Sequence, residues 1–269
     1  MSELVRPLRA YRALARATAR AVLTYRFNLL LGMGAVLMQL VALLAVWRVV
    51  LAESPSVNGF TWPQMRAYLL VAFAAGTVIS VLGDFRMAFR ILDGDVALDL
   101  AKPIDYQRAR FAEALGGLWI EVLLIAVVAG VTMSIVGGVD VPAGSALALF
   151  ALSMLLLVPL KFLIVYVSTL ACFWTQNYMG VQWARIAVVN LFSGAMIPLV
   201  YLPGWLATAA QWSPFAGLTS TPALIFLGRV DVPQGLVLVA VQLGWVLALW
   251  FGARLIWRVA VRRLTINGG

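Results

Sequence analysis

The sequence predicts an all-α polytopic membrane protein, and three observations carry that expectation. Of its 269 residues, 63% are hydrophobic and 12% charged, against ~25% charged in soluble domains. The mean hydropathy is +0.97, more apolar surface than a soluble core can bury, so lipid is the solvent for most side chains. The apolar residues fall in runs near the ~20 needed to cross a bilayer, with basic residues clustered between them. The expected order is an N-terminal interfacial helix and six transmembrane helices. A cytosolic helix lies between spans 2 and 3, and an external re-entrant helical hairpin between spans 5 and 6. All of it, 1–269, is expected to form one domain.

Residues 4–25 read as an amphipathic helix. Arg6, Arg9, Arg12, Arg16 and Arg20 fall within ~120° of arc at 100° per residue. Leu4, Leu8, Tyr11, Ala15, Val22 and Tyr25 occupy the other face, with Thr18 as a polar member. Such a helix lies in the headgroup plane with its arginines toward anionic lipid, or it is a positive-inside anchor. Either places the N-terminus in the cytosol. Its basic stretch is too long for the n-region of a cleaved signal peptide.

Residues 27–51 form the first span, with Arg48 near its outer end. An external loop follows over 52–66, and the second span occupies 67–83. Residues 84–113 are the longest polar interruption in the chain and carry eleven charges. Within it Leu92, Val96 and Leu100 recur every four residues, an apolar stripe if helical. Arg86, Arg90 and Asp93 gather beside the stripe at helical spacing. Gly94 interrupts the pattern and Pro103 stops it. This segment is either a short amphipathic helix built for docking or a solvated connection.

The third span covers 114–138, followed by the external turn VDVPAG. The apolar run over 145–174 exceeds the length of a crossing, and Pro159 is expected to kink it. A polar turn over 175–185 leads to the fifth span, 186–202. Over 201–228, Pro203, Pro214 and Pro222 leave apolar pieces of about ten residues, half of a crossing. Broken helices at membrane depth need cover from protein or a water-filled cavity, so this segment reads as a re-entrant hairpin. The sixth span covers 233–256 and ends in Arg254, Arg258, Arg262 and Arg263. This topology leaves 16 of the 20 Lys and Arg residues in the cytosol, with Arg66 and Arg229 outside and Arg48 and Lys161 in spans.

Several functions are excluded on chemical grounds. The net charge of +9 follows membrane topology rather than a nucleic-acid surface. Cys172 is the only cysteine and there is no histidine, which removes zinc and haem ligation and every histidine-based nucleophile. No GxxxxGK[ST] phosphate loop occurs, so the chain is not expected to be an enzyme, and any ATP and Mg would sit on a partner. Glu121 and Lys161 lie deep in spans 3 and 4, where a charge costs ~2.5 kcal/mol or more unless paired or wet. They are candidates for a structural ion pair or snorkelling, or for the relay of a gradient-driven carrier. Met33, Met38, Phe192 and Met196 are candidates for an adaptable apolar pathway or for helix packing.

The segments FSGAMIPLVYLPGW (residues 192–205) and QWSPFAGLTSTPALIFLG (residues 211–228) resemble the type-2 permeases of ABC exporters. The matching residues are Ser193, Gly194, Pro198, Leu202, Pro203, Pro214, Phe215 and Pro222. The run RILDGDVALDLAKPIDY is similar to the first intracellular loop of that family, through Gly94, Leu100, Lys102 and Pro103. The resemblance covers nearly the full chain. It implies that 84–113 is a coupling loop seated in a separate ABC ATPase subunit, with Phe89, Arg90, Leu92, Asp93 and Gly94 in contact. It further implies a second permease, identical or homologous, a bacterial cytoplasmic (inner) membrane location, and export of an amphipathic or hydrophobic substrate such as a drug, lipid or peptide antibiotic. The rival readings are a gradient-driven carrier using Glu121 and Lys161, and a non-transporting membrane scaffold.

Overall fold

The computed structural model describes residues 2–24, 26–53, 56–78 and 82–263. Among them the chain is helical, with 82% of residues in helices and no strands. Eleven α-helices follow one another: α1 (Ser2–Thr24), α2 (Arg26–Glu53), α3 (Trp62–Thr77), α4 (Leu82–Leu92), α5 (Val96–Leu100), α6 (Tyr106–Val136), α7 (Ser145–Leu170), α8 (Tyr178–Ser193), α9 (Gly204–Trp212), α10 (Ser220–Phe226) and α11 (Val232–Ala260).

Among the described residues, four helical segments are long and apolar enough to cross a membrane: Leu31–Glu53, Tyr106–Ile135, Ser145–Phe173 and Val232–Arg263. The expected second and fifth spans differ from these. Each corresponds to a helix of 16 residues, α3 and α8, which at 1.5 Å per residue is ~24 Å long, short of a ~30 Å hydrocarbon core. The expected second span also includes residues 79–81, outside the described residues. The expected fifth span, 186–202, is cut at Ser193. Gly194 takes a left-handed φ of +80°, which ends a helix at low steric cost, and Pro198 follows it.

Helix α7 is the axis of the bundle. Its residues Leu157, Leu160, Leu163, Tyr166 and Leu170 are fully buried under α4, α8, α10 and α11. Pro159 lies inside one continuous helix, which runs on through a 3-10 turn at Ala171–Phe173. Apolar contact is not the whole of this packing. Gln242 of α11 donates to the carbonyls of Ser153 and Gly217, both at 2.9 Å, and accepts from the Ser153 hydroxyl at 2.9 Å. A buried amide whose oxygen and both N–H donors are partnered fixes register as well as contact.

Helix α1 lies along the first part of α6, at a close approach that Gly116 permits. A Cβ on Gly116 would fall 2.2 Å from the Ala15 carbonyl oxygen, and one on Gly117 would meet Val22. Thr18, the polar member of the expected apolar face, is buried, and Arg9, Arg12, Arg16 and Arg20 are exposed. The Tyr11 hydroxyl accepts from the Asp105 amide at 3.2 Å. Tyr25 lies outside the described residues.

The segment between α2 and α3 closes in a two-residue turn, with Val57 and Phe60 exchanging backbone hydrogen bonds at 3.1 and 2.9 Å. Asn58 and Gly59 have φ of +47° and +76°, the pair of positive values that such a turn requires and Asn-Gly supplies. The expected hairpin over 201–228 consists of α9 and α10, with 3-10 turns at Leu199–Tyr201 and Ala216–Leu218. Its two helices differ in environment. Most of α10 is buried against α7 and α3, whereas α9 exposes Trp205 and Trp212.

Candidate docking site on the α4–α5 loop

The polar stretch 84–113 is not one helix. α4 ends at Leu92, Gly94 turns the chain with φ +80°, and α5 begins at Val96. Asp105 then caps α6 by accepting from the Arg108 amide at 2.8 Å, so the last part of the stretch belongs to the long α6. The break also divides the expected apolar stripe. Val96 is buried, Leu92 is half-buried, and Leu100 is exposed.

Asp99 organises the corner. It is 5% exposed, and its carboxylate lies 2.9 Å from Arg90 Nε, 2.8 Å from Lys102 Nζ and 3.7 Å from an Arg110 nitrogen. Arg110 also pairs with Glu113 at 2.9 Å. One acid therefore ties α4, α5 and α6 together, and a buried carboxylate is tolerated because three cations surround it. Met87, Ala88, Ile91 and Val96 anchor the inner side in a cluster with Leu170, Cys172 and Tyr178. The outer side presents Phe89 at 52%, Leu98 at 65% and Leu100 at 42% exposure.

Of the five expected contact residues, Phe89 and Asp93 face outward and Leu92 packs partly against the core. Gly94 makes the turn, and Arg90 pairs with Asp99. The four-residue stripe of Leu92, Val96 and Leu100 did not single out Leu98 or Asp99, because the turn at Gly94 gives α5 a direction of its own.

Lys161 donates to the backbone carbonyls of Ala75, Gly76 and Val78, the last at the C-cap of α3. An ammonium there satisfies carbonyls that the end of a helix leaves unpaired and complements its negative dipole end. The charge of the buried Glu121 acts on the same ammonium. The four residues expected along a pathway separate. Met33 is buried in the α2–α3 cluster, Phe192 packs near Leu199, Ala210 and Ala216, and Met38 and Met196 are exposed.

At the far end of α6, the hairpin joins the α2–α3 turn. Trp47 and Tyr201 lie with ring centroids 5.1 Å apart, and Tyr201 donates to the Val57 carbonyl at 2.8 Å. The Arg229 guanidinium sits 3.9 Å over the Phe60 ring and donates to the Gly59 carbonyl. Tyr68 of α3 donates to the Gly194 carbonyl at 2.7 Å.

A family model described as "ABC-2 family transporter protein" matches residues 36–268, from within α2 to beyond α11. The chain belongs to the ABC-2 transporter family. Members of this family are generally non-catalytic membrane subunits that typically partner with an ABC ATPase. No curated protein and no solved structure matches the chain. The match takes in the charged loop, the broken segment after α8 and α11. This ABC-2 membrane protein thus carries the two features on which the sequence resemblance rested within its matched region.

Proposed function

We propose that the chain is the membrane-spanning permease subunit of an ATP-driven exporter in a bacterial cytoplasmic membrane, with six crossings and both termini cytosolic. In this reading α3 and α8 cross as short helices continued by the segments beside them. A separate ABC ATPase binds ATP and Mg and docks on the α4–α5 loop. A second permease, identical or homologous, completes the path, and the α9–α10 hairpin closes it on the outside. The few fixed charges in the long helices favour an amphipathic or hydrophobic cargo, such as a drug, lipid or peptide antibiotic.

The observation that carries the proposal is the loop. A docking element has to be stiff enough to convey force and has to offer apolar surface to a partner. Asp99 supplies the stiffness by joining three helices, and Phe89, Leu98 and Leu100 supply the surface. The carrier alternative finds less support, since Lys161 has three backbone carbonyls to hold.

The test is purification of the full chain in mild detergent with its co-purifying subunits, followed by an ATPase assay. An ATP-binding subunit that is retained by the native chain and lost from Phe89→Asp and Leu98→Asp, with both variants still monodisperse, supports the proposal. Recovery of the chain alone, or capture of the ATPase unaffected by both substitutions, rejects the docking assignment.

A further inference from the structure

We infer that the cleft beneath α9 binds an anionic phospholipid drawn from the surrounding bilayer. The cleft encloses about 580 Å³ between α9, the 3-10 turn at Leu199–Tyr201, α10, α3 and the α2–α3 turn, within the ~300–1,000 Å³ of small-ligand sites. Phe60, Leu199, Leu224 and Trp212 give it apolar walls, and Gln211 and Arg229 give it polar donors. That combination suits an amphiphile, with an acyl chain on the walls and a headgroup at the donors.

The sign of the headgroup follows from Arg229. Its guanidinium carries five N–H donors. The Gly59 carbonyl takes a hydrogen bond from it, and Phe60 takes its face. Among the described residues no carboxylate lies within ion-pair distance of it. The acid nearest in sequence, Asp231, is engaged as the N-cap of α11 by accepting from the Gln234 amide at 2.8 Å. A partly buried arginine held in place by a ring and a carbonyl, without an acid, is arranged to meet a phosphate. The source is the bilayer because the site belongs to a membrane protein and is lined by Trp212, an exposed aromatic of the kind that settles at headgroup depth. This inference is independent of any transport reaction.

The experiment uses the full chain in nanodiscs of phosphatidylcholine, with trace phosphatidylglycerol or phosphatidylcholine bearing a diazirine in one acyl chain. Labelled peptides are mapped by mass spectrometry. Phosphatidylglycerol is expected to label residues 199–212 and 220–230 about fivefold more than phosphatidylcholine, the ratio for one interfacial cation at ~1 kcal/mol. Arg229→Gln is expected to remove the preference and Arg229→Lys to retain most of it. Leu224→Trp, which fills the cleft and spares the arginine, is expected to lower labelling by both probes. Equal labelling of the native chain by both lipids overturns the inference, as does a preference that survives Arg229→Gln. Stronger labelling by a diazirine fatty acid than by phosphatidylglycerol assigns the cleft to a carboxylate amphiphile and also overturns it.

Discussion

Arg90 Nε lies 2.9 Å from the Asp99 carboxylate across the corner that Gly94 makes between α4 and α5. Neither residue is near the other on a single continuous helix. Their approach depends on the left-handed glycine, which reverses enough of the chain to bring Asp99 back under α4.

Asp99→Asn keeps the shape of the side chain and removes the charge that three cations share. The variant is expected to lose about 2 kcal/mol of stability, as for a buried group deprived of its partners. Arg90→Ala removes a partly exposed cation and leaves Asp99 with Lys102 and Arg110, and is expected to cost less than about 1 kcal/mol. Thermal unfolding in detergent measures both, and limited proteolysis over 93–105 reports whether the loop has loosened. Equal costs for the two variants would show that Asp99 is not the centre of the corner.

Lys161→Met retains length and apolar packing but leaves the carbonyls of Ala75, Gly76 and Val78 without their donor. A loss of about 2 kcal/mol is expected, with faster hydrogen exchange at the end of α3. Lys161→Arg is expected to recover part of it, because the cation persists. If Lys161→Met unfolds at the native temperature, water or another donor serves those carbonyls.

Gln242→Leu orphans the Ser153 hydroxyl and the Gly217 carbonyl at the centre of the α7–α11 contact. The single substitution is expected to destabilise by about 1–3 kcal/mol. Adding Ser153→Ala to it is expected to cost less than the sum of the two singles, the mark of a shared network. Strict additivity in this cycle would rule out the coupling between them.

Gly116→Leu places a side chain where the Ala15 backbone passes. Overpacking of this kind costs about 1–3 kcal/mol, and the expected consequence is release of α1 from α6. Protease cleavage within 8–22 should rise while the α7–α11 core keeps its unfolding temperature. A protected α1 in this variant would mean that its hold on α6 lies elsewhere.

Much of the architecture was legible from residues alone. Hydrophobic length marked the long helices that begin near residues 31, 106, 145 and 232, because a run of ~20 apolar side chains is its own signal. The arginine face of α1 was legible from its 100° periodicity, and the broken segment after α8 from its prolines. The 16-residue lengths of α3 and α8 were not. The end of α8 is set by the left-handed backbone at Gly194, whereas the neighbouring residues are apolar enough to extend the helix on hydropathy alone.

The sequence by itself determined that this chain is a helical membrane protein of the ABC-2 type. Composition dictates the solvent, and the order of Gly94, Lys102, Pro103, Pro198, Pro203 and Pro214 marks the family. Only the tertiary structure decided the partners of the isolated polar groups. It gave Asp99 its cations, Lys161 its ring of carbonyls, Gln242 the Ser153 contact, and Arg229 the Phe60 ring. The physical reason is range. Hydropathy and helical periodicity are properties of neighbouring residues, whereas a buried polar group is satisfied by whatever the packing of distant helices brings within hydrogen-bond reach.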